Sequence, residues 1–302
     1  MPPKQDNGAS EAGASGSDAP PAAYFIAGGR TYSNAARAYA FPVDQAEVVR
    51  LDRLHYLLGG LLCRGPVGGV LASPGLVRRV LDVGCGTGMW LHDMAARFPH
   101  ADCVGVDLLP LQHSSNRPNV TFMLLDAPAG LDVFPASSFD VVHIRQMIYA
   151  AHRLLRPNGV VLVHETNFEC YSVWEGHSPD GLLPGLTRAL LRKTIHLDVF
   201  DHMEALLANA GFQGAIDAYF HYRPVCPRER TDVALHETES TRALVEAARA
   251  TVVDERVLTA AEYDALEGTV RAELAGDAAG SAGGESGGGV FAPWGFWWVR
   301  KE

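Results

Sequence analysis

Residues 80–90, VLDVGCGTGMW, place an acid, three alternating glycines and then helix-forming residues behind an apolar run. Gly84, Gly86 and Gly88 at this spacing suit a tight turn from strand to helix. Such a turn needs permissive backbone angles, and a ligand lying on bare chain leaves no room for a Cβ. The chemistry this points to is recognition of a nucleotide-like ligand. A nicotinamide-binding turn would read G-x-G-x-x-G, whereas position 89 is Met and the third glycine arrives one residue early. Asp82, two residues before Gly84, sets a carboxylate at the strand end, where it attracts a ligand cation and repels a pyrophosphate. Two more acids close later apolar runs: Asp107 after DCVGV and Asp126 after NVTFMLL, followed by Leu108 and Ala127. A carboxylate is well suited to accept from two neighbouring hydroxyls.

These residues resemble motif I and the following strand ends of the class I methyltransferases that use S-adenosylmethionine, many of which read D-V-G-C-G-T-G at the turn. The resemblance implies that cofactor, lined by Asp82, Gly84, Cys85, Gly86 and Gly88. It further implies that Asp107 accepts from the ribose hydroxyls beside Leu108, that Asp126 accepts from the adenine amine, and that the Ala127 N–H faces a ring nitrogen. Methyl transfer from a sulfonium is an in-line displacement with a pre-activated donor, so positioning and desolvation carry most of the work. A hydroxyl or acid nucleophile still calls for a base, commonly His. His143, by resemblance near the methionine part of the cofactor, is a wall or base candidate, with a packed strand histidine as the alternative. His164, Glu165, Asn167 and Trp174 are candidates to line the acceptor side, and Tyr32 is a candidate lid residue. His92, His152 and His202 read as helix-surface residues. Cys85 reads as a small residue whose backbone lines the ligand, not as a nucleophile. No His/Asp/Glu spacing marks a metal site, and five scattered cysteines favour neither zinc nor a disulfide framework.

Positioning these groups requires alternating elements. The pattern predicts strands at 78–83, 102–107, 119–125, 139–145 and 159–165, with helices at 88–98 and about 146–155. A helix at 202–210, a strand at 214–223, helices near 237–252 and 260–274 and a strand at 294–300 follow. This is an α/β fold: a Rossmann-like, doubly wound, seven-stranded sheet, mostly parallel with an antiparallel C-terminal strand. In WGFWWVRK, alternation puts Phe296 and Trp298 on one face and Trp297 and Val299 on the other, favouring a strand buried on both faces over an aromatic cage. The connection Gln146–Asn158 has only 13 residues, near the minimum for a parallel crossover. Relatives in the resembled family carry a longer one, which contributes to the wall of the substrate pocket. A second function class therefore stands beside the enzyme: a cofactor-binding regulatory protein with reduced or no turnover.

The 302 residues, 47% of them hydrophobic, suffice for one enlarged domain with tails. Residues 1–22 are expected to be a disordered tail, since 13 of the 15 residues at 8–22 are Gly, Ala, Ser or Pro. Residues 23–76 are expected to form a helical extension and 77–302 the methyltransferase domain, with a flexible Gly-rich loop at 275–289. Within the extension, Asp44 and Glu47 form a capping-box pattern, flanked by a Val43/Val48 staple. Thr259 and Glu262, with Leu258 and Tyr263, repeat it before the last helix. Residues 23–166, including Arg30 and Tyr32, resemble a fungal methyltransferase family that includes regulators of secondary metabolism. The implied partners are a small-molecule or protein methyl acceptor and a regulatory protein. The net charge of −10 disfavours direct nucleic acid binding. No leader peptide or membrane-length apolar run is evident, so residence is expected in the cytoplasm, with the nucleus left open.

Overall fold

The computed structural model describes residues 24–34, 41–64, 71, 77–145, 151–166, 171–172, 199–226, 232–254, 258–275 and 290–302. The expected tail, the Gly-rich loop, Asn167 and Trp174 lie outside them. A hairpin, β1 (Tyr24–Ala27) and β2 (Arg30–Ser33), precedes helix α1 (Gln45–Arg64). The central sheet then takes β3 (Arg79–Val83), β4 (Asp102–Asp107), β5 (Val120–Leu124), β6 (Phe139–Arg145) and β7 (Leu155–Thr166). It is completed by the two-residue β8 (Tyr171–Ser172), β9 (Asp217–Cys226) and β10 (Val290–Arg300). The helices are α2 (Met89–Arg97), α3 (Ala127–Gly130), α4 (Met203–Asn209), α5 (Asp232–Asp254) and α6 (Ala260–Ala275).

Strands β5-β4-β3-β6-β7 run parallel in that order, and β10 joins β7 antiparallel. Strand β9 then pairs antiparallel with β10, and β8 adds to its far end as an eighth strand. The chain leaves β3 toward β4 on one side and returns to β6 on the other. The strand order therefore reverses between β3 and β6, the place where open α/β sheets bind ligands at the carboxyl ends of their strands.

Period-two alternation distributes the core to both faces. One face holds Leu81, Val83, Val142, Ile144, Val161, Val163, Trp297 and Val299 under α4. The other holds Val80, Val141, Val160, Leu162, Trp294 and Phe296 under Leu54 and Leu58 of α1 and Trp90, Leu91 and Met94 of α2. The C-terminal aromatic strand is thus buried on both faces.

One expected element differs. The helix at 146–155 is not found in its described part: Ala151–Leu154 form a turn, closed by Leu154 N–H donating to Ala151 C=O at 3.0 Å, and β7 begins at Leu155. The Arg156–Asn158 turn is an irregularity inside β7. Leu155 pairs with Phe139, the register slips, and pairing resumes at Val141 and Val160. The slip is held by Asn158 at φ 64°, by the Arg156–Asp140 ion pair at 2.9 Å, and by Lys301, whose backbone bonds Asn158 and Gly159. His152 accordingly sits in this turn beside Phe212, not on a helix. His92 does lie on α2, and His202 is the residue before α4.

The Thr259–Glu262 capping box forms in both directions, with Tyr263 buried behind it. At α1, Asp44 receives the Glu47 N–H at 3.1 Å, while the Glu47 carboxylate turns to Arg50 at 2.6 Å in the core. Asp44 also binds Arg30 through two bonds, at 2.7 and 2.8 Å, tying the hairpin to the helix start. Burial is partial there, so this pair makes at most a modest net contribution.

Candidate functional site

The glycine turn joins β3 to α2 and is anchored on β4. Gly84 and Cys85 N–H both donate to Val106 C=O, at 2.9 and 3.0 Å, and Gly88 N–H closes on Cys85 C=O at 2.8 Å. Gly84, Gly86 and Gly88 all have positive φ: 69°, 54° and 80°. L-residues with side chains rarely adopt these angles. The expectation that a ligand excludes every Cβ here needs correction. A Cβ on Gly88 would come 2.5 Å from the Phe122 ring, and one on Gly86 would touch only Leu51, at 3.7 Å. Gly88 is required by the protein's own packing and by its backbone angle, Gly86 by its angle alone, and the surface at Gly86 stays bare.

Asp107 is built into this turn. Its Oδ2 accepts from Gly86 N–H at 2.7 Å and its Oδ1 from Leu109 N–H at 2.9 Å. Burial raises its pKa, and the amide hydrogen bonds oppose the rise. A carboxylate has about four acceptor positions, so capacity remains beyond these main-chain amides for a ligand hydroxyl. Beside it Leu108 is partly exposed. Asp126, past the end of β5, is exposed and leaves its side chain out of the capping of α3, while Ala127 is buried at the first helical position. The first N–H groups of a helix have no intrahelical partner.

The second half of the site lies across the topological switch. Asp82 stands opposite His143 in the β3/β6 pairing, and the His143 Nδ1 is 2.6 Å from Asp82 Oδ1. His143 Nε2 is in turn 3.0 Å from His164 Nδ1 on β7. The three are 2%, 1% and 0% exposed. Trp90 stacks on the His143 ring at 3.8 Å, and Phe296 meets the His164 ring edgewise at 5.0 Å. Burial pushes Asp82 up to about 7 against the pull of Arg145 and His55, and drives both imidazoles well below their ordinary range. Low dielectric penalises every charge in the row, so both imidazoles are neutral near pH 7 and the row is not a carboxylate–imidazolium ion pair.

The other nominated residues separate from this constellation. The Tyr32 hydroxyl donates to Ala247 C=O of α5 at 2.9 Å, and the residue is 4% exposed, so it ties the hairpin to a late helix. Glu165 is buried, pushed up to about 7, and accepts the Thr166 N–H. Burial raises the Cys85 thiol far above its ordinary range, which removes the thiolate a nucleophile requires. Among the described residues no group of three His, Cys, Asp or Glu is arranged to hold a metal ion. None of their helices is long and apolar enough to cross a membrane.

Several participants were invisible in the sequence. The segment after Asp107 folds over the turn: Gln112 Nε2 donates to Gly86 C=O at 3.2 Å, and His113 N–H donates to Thr87 C=O at 3.0 Å. Helix α1 is held above it through His113–Asp52 at 2.8 Å and reaches α2 through His55–Asp93 at 2.9 Å. Val43, Val48 and Leu51 pack on Leu109 and Leu111. These hydrogen bonds join residues 26 to 61 positions apart, and no local spacing signals them. A concavity of about 400 Å³ lined by His92, His113 and Arg117 opens nearby, but none of the three acids borders it.

An unsubstituted Gly86, a buried acid at the switch point, a partly used Asp107 carboxylate and an exposed Asp126 carboxylate fit a ligand that brings a cation, a diol and an amine. They do not fit a pyrophosphate. The profile of the methyltransferase domain family matches residues 61–215. A secondary metabolism regulator laeA of Coprinopsis cinerea is 35% identical over 159 residues, covering 47% of this chain and 39% of that protein. The methyltransferase str2 of Strobilurus tenacellus is 29% identical over 167 residues, 51% of this chain and 58% of its own length. A protein-methionine methyltransferase laeA of Emericella nidulans is 34% identical over 121 residues, 39% of this chain and 31% of that one. The chain thus spans well under two thirds of the length of each of these relatives.

Proposed function

Because the chain belongs to the methyltransferase domain family, we propose that it transfers a methyl group from S-adenosylmethionine to a small-molecule or protein acceptor. The observation that carries this reading is the row of acids at successive strand ends around a bare glycine turn: Asp82 on β3, Asp107 on β4 and Asp126 after β5. When bound, the cofactor supplies a methyl group already activated by its positive charge. In this reading the Asp107 carboxylate, held by Gly86 and Leu109 N–H, receives the ribose hydroxyls on its remaining acceptor positions. Asp126 and Ala127 receive the adenine edge, with Leu108 beside it. Gly84, Cys85, Gly86 and Gly88 offer backbone, and Asp82 offers the charge that complements a cation. His143 lies behind Asp82 and orients it through the 2.6 Å bond. A protein methionine joins the acceptors to be screened, on the name of the Emericella relative.

The short passage from β6 to β7, with a turn and no helix at Ala151–Leu154, supports the second reading, a cofactor-binding regulator with reduced turnover and a protein partner. Domain limits at 23–76 and 77–302, and residence in the cytoplasm or nucleus, belong to the same proposal.

Calorimetric titration with S-adenosylmethionine and S-adenosylhomocysteine tests it. Both should bind, and Asp107→Ala should weaken both by roughly 1–3 kcal/mol, the range for hydrogen bonds to a buried charged group. A folded wild type that binds neither would overturn the proposal. Binding without transfer to any acceptor class would favour the regulator.

A further inference from the structure

Asp82, His143 and His164 form a row that crosses three strands, and, with any Asp82 proton on Oδ1, the oxygen that bonds His143, the row permits only two arrangements of protons among neutral rings. His143 uses Nδ1 toward Asp82 and Nε2 toward His164 Nδ1. A neutral imidazole has one N–H and one bare nitrogen. If Asp82 is a carboxylate, His143 Nδ1–H donates to it, His143 Nε2 accepts from His164 Nδ1–H, and His164 Nε2 is a bare acceptor. If Asp82 is a carboxylic acid, its O–H donates to His143 Nδ1, His143 Nε2–H donates to His164 Nδ1, and His164 Nε2 carries the hydrogen. The state of Asp82 is therefore written at the far end of the row. At that end, His164 Nε2 is buried and has no hydrogen-bond partner. The rings cannot swing free: Trp90 stacks on one within 12° of parallel, and Phe296 closes on the other.

We propose that this row is a one-proton wire that couples the charge at the proposed cofactor site to the proton on His164, two strands away in the sheet. It rests on the cofactor reading of Asp82. When a cation is bound beside Asp82, the carboxylate form is favoured. The Asp82 proton passes to His143 Nδ1, the His143 Nε2 proton passes to His164 Nδ1, and the His164 Nε2 proton, buried and without a partner, is lost to solvent when the packing around it opens locally. No bond other than N–H and O–H changes, and both rings stay neutral. His143 is a positioning residue: it orients Asp82 and relays its state. The surrounding charges bias this balance without joining the row. Arg145 on β6 and His55 on α1 favour the carboxylate, while Asp107 on β4 and the Cys85 and Cys103 thiols are disfavoured as anions by it. Asp93 on α2 is held by His55.

Histidine ¹⁵N resonances of the full chain test the wire, assigned with His143→Gln and His164→Gln. In the ligand-free protein, raising the pH through about 7, where burial places Asp82, should exchange the tautomers of His143 and His164 together, at one midpoint, with neither ring becoming cationic. S-adenosylmethionine at fixed pH should produce the same exchange, leaving His164 Nε2 unprotonated. Separate midpoints, a cationic ring, or tautomers that do not change with pH would overturn the wire. If either variant fails to fold, calorimetry of the wild type in two buffers of different ionisation enthalpy decides: proton release on binding supports the wire, and none at pH 6–8 overturns the coupling. A joint pH-driven exchange with no binding of S-adenosylmethionine overturns the proposed function and leaves the wire standing.

Discussion

Asp107 and Asp82 end neighbouring parallel strands and face the same turn, yet they are held in opposite ways. Asp107 is fastened by main-chain amides of the glycine turn and keeps acceptor capacity toward the outside. Asp82 is fastened by an imidazole from the strand across the switch point and is buried with it. The first half of the site is an acid gripped by main-chain amides, so the turn that fixes the backbone also fixes the carboxylate. The second is built from side chains whose meeting depends on sheet register, so its chemistry can be tuned one residue at a time. The backbone half suits neutral hydrogen-bonding parts of a ligand, and the side-chain half is able to respond to charge.

Disturbing the turn should have the largest effect. Gly88→Ala forces a side chain into φ 80° and onto the Phe122 ring. It should destabilise the fold by about 2–4 kcal/mol, combining backbone strain and overpacking. Urea denaturation measures this, and a Phe122→Ala background should recover the packing share only. An unchanged midpoint in Gly88→Ala would mean that the backbone half is less constrained than its geometry indicates.

The side-chain half should declare itself through pH. Asp82 titrates near 7 in the fold, against 3.8 ordinarily, because burial favours its neutral form. Between these values the unfolded chain loses a proton that the folded one keeps, so stability should fall as pH rises from about 4 to 7 and then level. The Asp82 share is on the order of 4 kcal/mol. Asp82→Asn should flatten that decline, leaving the shares from Glu165, pushed up to about 7 by burial, and from Asp107, which burial also raises. Equal slopes in the two proteins would break the contrast between the halves.

The smallest effect belongs to Asp126, exposed and outside the capping of its own helix. Asp126→Ala should leave the denaturation midpoint unchanged and weaken S-adenosylmethionine by under about 1 kcal/mol, as for a solvent-accessible hydrogen bond. A loss as large as that of Asp107→Ala would show that the adenine end is anchored as firmly as the ribose.

The glycine turn was legible because its spacing is a local backbone requirement, and Asp107 and Asp126 were legible because each closes an apolar run. The sheet was legible in seven of its strands, whose alternation and length are local properties. Strand β8 has two residues, too few for any period. The helix expected at 146–155 failed because its described part is bound to neighbouring strands: Lys301 Nζ holds the His152 and Leu155 carbonyls. A pattern confined to those ten residues contains no trace of a partner 146 positions away.

What the sequence by itself determined is the set of groups and their order: three acids, three glycines, and histidines near the ends of two buried strands, each encoded by neighbours within a few residues. What only the tertiary structure decided is who meets whom. Parallel pairing of β3 with β6 and β6 with β7 brings Asp82, His143 and His164, 61 and 21 positions apart, into one hydrogen-bonded row. Closure of α2 and α1 over that face removes water from it. Register and exclusion of solvent are properties of the packed sheet, and they turn three separate side chains into one titrating unit.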